Sequence, residues 1–122
     1  MQVLILAKSG PESEGPSAPE AQTQAPDPEA FAAYVRFSKE LVDAGVLLAE
    51  GRLLPTSNAA RVQFDGATRT VTDGPFTEAK ELVGGYWLWQ VRSLDEAVEW
   101  LKRAPFEGGD FEIRQVMEMP AP

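Results

Sequence analysis

Two short apolar runs constrain the fold of this chain more than any other feature. Residues 3–7 read Val-Leu-Ile-Leu-Ala and residues 86–91 read Tyr-Trp-Leu-Trp-Gln-Val, so large side chains occupy odd and even positions alike. Successive side chains of a strand point to opposite faces of a sheet, and each run therefore requires apolar cover on both faces. We expect two interior strands of a sheet that is packed on both sides.

Capping signals predict two helices. Asp27 precedes Pro28, a residue suited to the first helical position, and Gly45 supplies a left-handed stop, so the first helix should span about residues 28–44. Ser93 begins a Ser-Leu-Asp-Glu capping box before a second, shorter helix. We expect the aromatic side chains of the first helix to belong to the core.

The remaining strands complete the order strand, helix, strand, hairpin, strand, helix, strand. Residues 46–54 are predicted to form a strand that Pro55 ends. Residues 61–64 and 69–72 flank an Asp-Gly turn signal, and residues 111–117 alternate in polarity. This order predicts an α+β fold, a ferredoxin-like split βαβ unit with an added β-hairpin. Its antiparallel sheet should carry both helices on one face.

The second face of that sheet has no helix to cover it. An exposed apolar area of this kind marks an association surface, and a second copy of the chain would bury it. We therefore expect a homodimer packed sheet to sheet, through the face that carries Trp87 or Trp89.

The chain contains no histidine and no cysteine, which excludes whole classes of function. Serine-histidine triads, cysteine nucleophiles, disulfide scaffolds and zinc fingers each need one of these residues. The formal net charge of −8 opposes a phosphate backbone, so we expect no direct nucleic-acid binding. No apolar run approaches the roughly 20 residues of a membrane helix. We expect a cytoplasmic protein with no cofactor, no bound metal and no membrane partner.

Much of the acidity lies in one segment near the N-terminus. Between residues 9 and 29 there are acidic side chains and prolines but no lysine or arginine. Such a composition does not bury enough apolar surface to offset the entropy of ordering the chain. We therefore expect a single domain over residues 1–122 with a flexible, acidic, Pro-rich loop at about residues 9–27.

Asp73 is the leading candidate for chemistry. It begins an Asp-Gly-Pro turn at the end of a predicted strand, where a held carboxylate can act as acid, base or hydrogen-bond acceptor. The alternative is structural, because Asp in such a turn serves the turn's own hydrogen bonding. Glu78 and Lys80 follow closely and would add charge at the rim of a cleft, although charges in such positions are usually solvated surface.

Two further groups of side chains are candidates for ligand binding. Phe76, Tyr86 and Trp87 would line an apolar pocket, the alternative being a place in the core or the dimer interface. Glu50 and Arg52 share one parity of the second strand and would project into one cleft, where the arginine orients an anionic ligand. The alternative for this pair is a cross-strand ion pair.

The Asp-Gly-Pro-Phe segment also carries a family resemblance. Residues 72–81 read Thr-Asp-Gly-Pro-Phe-Thr-Glu-Ala-Lys-Glu, and Gly-Gly-Tyr follows two residues later. On these residues, supported by residues 50–55 and 112–116, the chain resembles the YCII-related family, in the branch named for its DGPF motif. The resemblance covers residues 1–8 and roughly residues 28–118.

This resemblance implies the dimeric α/β-barrel superfamily, which includes small monooxygenases and muconolactone-isomerase-like proteins. It implies no settled activity. Some members of the branch occur beside or fused to sigma-type transcription factors, which implies a regulatory setting. Others in the wider family carry a His-Asp pair proposed as an active site, and a chain without histidine does not have that pair.

Two functions from different classes follow from the sequence. The first is a small-molecule-binding or regulatory module, a homodimer with a cleft near the DGPF turn. The alternative is a cofactor-independent enzyme that acts on a hydrophobic carbonyl compound, with Asp73 as acid/base and Tyr86 as a hydrogen-bond donor. We favour the first, because catalysis without histidine or cysteine requires a strongly shifted carboxylate pKa.

Overall fold

The computed structural model describes residues 1–9, 27–76 and 82–119. Its elements follow the predicted order. They are β1 (Gln2–Ser9), α1 (Pro28–Asp43), β2 (Leu47–Arg52), a 3-10 turn (Thr56–Asn58), β3 (Ala60–Asp65), β4 (Thr68–Asp73), β5 (Leu82–Gln90), α2 (Leu94–Lys102) and β6 (Phe111–Gln115). The predicted flexible loop lies, apart from its two ends, outside the described residues.

Four strands form one antiparallel sheet in the order β2-β5-β1-β6. The strands β3 and β4 form a separate two-stranded hairpin. Side chains of α1 and α2 join one core cluster with the same face of the large sheet, so both helices cover that face. The predicted α+β fold, a ferredoxin-like split βαβ unit with an added hairpin, is confirmed.

Local hydrogen bonds fix where each helix begins. The Asp27 carboxylate accepts from the Ala30 backbone N–H at 3.1 Å at the start of α1. The Ser93 hydroxyl accepts from the Glu96 N–H at 3.1 Å at the start of α2, and the Glu96 carboxylate accepts from the backbone N–H of Arg92. Neither helix within the described ranges is long and apolar enough to cross a membrane.

Both tryptophans of β5 lie beneath the helices. In the β1–β5 pairing Val3 is opposite Trp89 and Ile5 is opposite Trp87, and all four side chains are buried. Phe37 of α1 packs on Trp87 with ring centroids 5.9 Å apart. The expectation that the uncovered face carries Trp87 or Trp89 is therefore wrong.

The uncovered face carries the alternate residues of the same strands. Leu4, Leu6 and Leu88 are partly exposed there, and Tyr86 is 37% exposed. Because indole is the largest side chain, it fills the space between the sheet and two helices, and the leucines and tyrosine are left outside. The two parities of β5 look alike in sequence, since both carry large apolar side chains.

The strand β5 is longer than predicted. It begins at Leu82, four residues before the apolar run 86–91, and continues through Gly84 and Gly85. A Cβ atom on Gly85 would lie 3.1 Å from the carbonyl oxygen of Gly51 on β2. Glycine therefore permits a close approach of the two strands here and does not end β5.

The DGPF turn anchors the base of the β3–β4 hairpin. The Gly74 N–H donates to the Ala59 carbonyl oxygen at 2.8 Å, and the Phe76 N–H donates to the Thr56 hydroxyl at 2.8 Å. Phe76 is buried, and the guanidinium of Arg61 lies 3.9 Å from its ring centroid. These contacts join the turn to the chain segment that leaves β2.

Gly74 should be intolerant of any side chain. A Cβ atom at this position would overlap the backbone carbonyl oxygen of Thr56. Because a backbone atom does not move aside cheaply, we expect Gly74→Ala to lower the free energy of unfolding by about 2 kcal/mol. Gly108→Ala is the matched control, since nothing lies within 4 Å of a Cβ there. Thermal unfolding compares the two variants, and equal melting temperatures would contradict the prediction.

Candidate active-site cleft

A cleft of about 760 Å³ opens between α1 and one end of the sheet, where β1 ends and β5 begins. The chain between α2 and β6 contributes Pro105 and Phe106 to its wall. Aromatic residues make up much of the lining: Phe31, Tyr34, Tyr86, Trp87, Phe106 and Phe111. The charged residues of the lining are Lys8, Glu50 and Arg52.

A β-bulge in β2 turns the charged residues toward the cleft. Leu47 is opposite Trp89 on the helix-covered face, and Ala49 is opposite Leu88 on the uncovered face. The register shifts between them, so Glu50 returns to the helix-covered side, opposite Trp87. Without the extra residue, Glu50 would point to the other face of the sheet.

The Glu50 carboxylate is held by two donors on one of its oxygens. The Tyr34 hydroxyl donates to Oε2 at 2.8 Å, and the Trp87 indole N–H donates to the same oxygen at 2.9 Å. Within the described residues no donor is bonded to Oε1. The side chain is exposed, so Oε1 is left as an oriented acceptor.

Near-parallel rings form the apolar wall beside this carboxylate. Tyr34 and Trp87 stack with an interplanar angle of 13°, Trp87 and Phe106 with 28°, and Phe106 and Phe111 with 15°. The successive centroid separations are 6.4, 5.9 and 5.1 Å. Such a wall suits a flat apolar molecule, because ring faces align with ring faces or edges.

Burial raises the pKa of the Tyr34 hydroxyl above the ordinary value of a tyrosine. The hydrogen bond to the Glu50 carboxylate and its negative charge raise this pKa further. The phenol is therefore protonated at neutral pH. It serves as a fixed donor to Glu50 and not as a base.

The two basic residues of the lining differ in their partners. Lys8 forms an ion pair with Glu112, with Nζ and the carboxylate oxygen 3.4 Å apart. Arg52 is opposite Gly85, on the same face as Glu50, and no carboxylate among the described residues pairs with it. Glu50 bonds Tyr34 and Trp87 instead, so Arg52 lines the cleft without a carboxylate partner among the described residues.

A comparison with known families identifies the chain. The model of the YCII-related domain matches residues 1–120. This chain belongs to the YCII-related domain family. Its place in the DGPF branch stays a prediction.

Relatives of this YCII-related chain extend the comparison. An uncharacterized protein of Rhizobium meliloti (strain 1021) is 38% identical over 79 residues, a match that spans 62% of this chain and 64% of that protein's length. A solved structure of 5-chloro-2-hydroxyhydroquinone dehydrochlorinase from Burkholderia phenoliruptrix, in complex with 2,5-dihydroxybenzoquinone, covers 92% of this chain and 91% of its own. The identity is 18% and the TM-score 0.42, a level at which no ligand or activity transfers between proteins.

Four of the residues singled out in the sequence line one cleft. Glu50, Arg52 and Trp87 share the helix-covered face of the sheet. Tyr86 belongs to the lining as well, although its ring lies over Gly51 on β2. The structure therefore brings together the candidates on β2 and β5.

The candidates around the DGPF turn are placed elsewhere. Asp73 is exposed at the end of β4 and does not line the cleft, and within the described residues its carboxylate accepts no hydrogen bond. Phe76 is buried at the hairpin base, also outside the lining. Glu78 and Lys80 lie outside the described residues. Within those residues no three His, Cys, Asp or Glu side chains gather as a metal site requires.

Sequence reasoning missed the contribution of α1 to the site. Tyr34 was predicted to be core, and Phe31 was part of the same stripe, yet both line the cleft. Phe106 was not singled out at all. The one available signal was the hydroxyl of Tyr34, because a buried phenol usually finds a hydrogen-bond partner.

We predict that Tyr34 titrates at higher pH than a free tyrosine. Because its raised pKa means that the folded state holds the proton more tightly than the unfolded chain, its contribution to stability is present below the ordinary tyrosine pKa. That contribution is lost as pH rises through the pKa of Tyr34 in the folded protein. Absorbance of tyrosinate should show a high-pH step that is missing in Tyr34→Phe.

Glu50→Gln tests the cause of that shift. The amide keeps an acceptor for the Tyr34 hydroxyl but removes the charge. The high-pH step should move part of the way down, because burial, the largest cause, remains. A step that persists in Tyr34→Phe would contradict the assignment.

Proposed function

We propose that this chain is a binding or regulatory module whose cleft takes a small apolar molecule. The observation that carries the proposal is the cleft itself, about 760 Å³ in volume and walled by aromatic rings around one oriented carboxylate. Small-molecule sites typically have this size, with a mainly apolar wall and a few placed polar groups.

The groups that face the cleft suit binding better than catalysis. Tyr34 keeps its proton at neutral pH, and the guanidinium of Arg52 is a hydrogen-bond donor that does not accept. Glu50 is engaged by two donors, so it is a positioned acceptor. The alternative function, an enzyme acting on a hydrophobic carbonyl compound through Asp73, has less support because Asp73 does not line the cleft.

Filling the cleft should weaken binding. Ala30 belongs to the lining on α1, whereas Val42 lies on the same helix outside it and is 58% exposed. We expect Ala30→Trp to weaken binding of 2-acetyl-6-methoxynaphthalene at least tenfold, measured by calorimetry, because the new indole takes the ligand's space. Val42→Trp is the matched control and should bind as the parent does. Equal affinities in the parent and both variants would place the probe elsewhere and defeat the proposal.

The proposed module acts as a homodimer packed through the uncovered sheet face. Its supports are the four partly exposed apolar side chains there, Leu4, Leu6, Tyr86 and Leu88. Such a continuous apolar face on a sheet is typical of an association surface. A second copy of the chain would cover it with an identical face. The cytoplasmic location likewise stays a prediction.

Sedimentation tests the dimer. The parent should behave as a particle of about twice 13.3 kDa. Leu88→Glu should behave as a monomer, because burying an unpaired carboxylate between two sheets is costly. Val42→Glu, on the exposed side of α1, is the control and should remain dimeric. Circular dichroism of each variant separates loss of association from loss of the fold. A monomeric parent at micromolar concentration would overturn the proposal.

A further inference from the structure

We infer that the cleft selects a neutral, flat aromatic molecule with a hydrogen-bond donor at one edge and an acceptor at the other. Glu50 recognises the donor and Arg52, two residues further along β2, recognises the acceptor. This inference rests on the proposed function, because it names the chemical class of ligand that the same cleft takes. It concerns selectivity, which is measured separately from binding itself.

Glu50 recognises the hydrogen-bond donor of the ligand. Its Oε2 is occupied by Tyr34 and Trp87, which leaves Oε1 to meet the ligand. A carboxylate only accepts hydrogen bonds, so it favours a hydroxyl or N–H and disfavours an ether or carbonyl oxygen at the same place. The two donors already hold the carboxylate in one orientation. A ligand therefore does not have to order it.

Arg52 recognises the hydrogen-bond acceptor of the ligand. Glu50 and Arg52 share one face of β2, two residues apart, which separates their backbones by roughly 7 Å. A guanidinium only donates, so it favours a carbonyl or similar acceptor. The spacing matches groups at opposite ends of a one- or two-ring molecule.

The charges of the cleft favour a neutral ligand. The lining holds one carboxylate and one guanidinium on the same face of β2. Glu50 repels an anionic ligand and Arg52 repels a cationic one. The third charged residue of the lining, Lys8, is paired with Glu112. The near-parallel rings of Tyr34 and Trp87 continue the wall beside Glu50, which explains the preference for a flat body.

The test compares one naphthalene with two others, each of which differs from it by a single group. The compound 6-acetyl-2-naphthol has both the donor and the acceptor, 2-acetyl-6-methoxynaphthalene lacks the donor, and 6-ethyl-2-naphthol lacks the acceptor. We expect 6-acetyl-2-naphthol to bind at least about tenfold more tightly than either of the other two compounds, because each of those two lacks one hydrogen bond to a charged group. Calorimetry at pH 7 gives the three dissociation constants.

Glu50→Gln supplies the decisive variant. Tyr34 and Trp87 both donate to the occupied oxygen, so the amide should turn its carbonyl oxygen toward them and its NH₂ toward the ligand. The tenfold preference for hydroxyl over methoxy should then disappear or reverse, while 2-acetyl-6-methoxynaphthalene keeps at least its original affinity. Arg52→Met should remove the preference for acetyl over ethyl and leave the preference for hydroxyl intact.

The outcomes separate this inference from the proposed function. If none of the three compounds binds the parent, the proposed function fails. If all three bind with similar affinity and Ala30→Trp weakens them all, the cleft is a binding site and the inference is wrong. If Glu50→Gln still prefers hydroxyl over methoxy, another group binds the hydrogen-bond donor of the ligand. The role assigned to Glu50 is then wrong.

Discussion

The indole of Trp87 belongs to the core and to the cleft at once, and both depend on it. Its ring packs on Phe37 and Trp89, with centroid separations of 5.9 and 5.3 Å, while its N–H donates to Glu50. A buried N–H without a partner destabilises a fold by about 1–3 kcal/mol. Glu50 therefore stabilises the core through the same contact that orients it toward a ligand. The indole N–H of the neighbouring Trp89 is buried without a partner among the described residues, so Glu50 satisfies one of two such donors.

The order of elements was predictable because its signals are local. Asp27 caps α1 as its side-chain chemistry indicates, and Ser93 does the same for α2. The parity of β5 was not predictable, because both of its faces carry large apolar side chains. What decides it is the packing of both helices, because Phe37 of α1 and Ala97 of α2 join one core cluster with the two indoles. Alternation within one strand contains no information about which face the helices cover.

The candidate site was predictable only in the part that β2 and β5 contribute. Glu50 and Arg52 share a parity in the sequence, and that relation survives because the bulge lies before both of them. Which side they face depends on the bulge itself, and the sequence carries no glycine or other signal at Leu48 to announce it. The role of Tyr34 depends on α1 crossing the sheet at Glu50, sixteen residues away along the chain. Such a contact is set by packing and not by helical periodicity.

The DGPF segment, which carries the family resemblance, does not line the cleft. Its backbone bonds the segment that leaves β2, through Gly74 to Ala59 and Phe76 to Thr56. In the same region the Leu53 N–H donates to the Gly84 carbonyl oxygen at 2.9 Å, which extends the β2–β5 pairing beyond Arg52. The turn therefore secures the segment that follows β2, the strand that carries Glu50. A motif can be indispensable in this way without touching a ligand, because the relative position of two strands determines where their side chains meet.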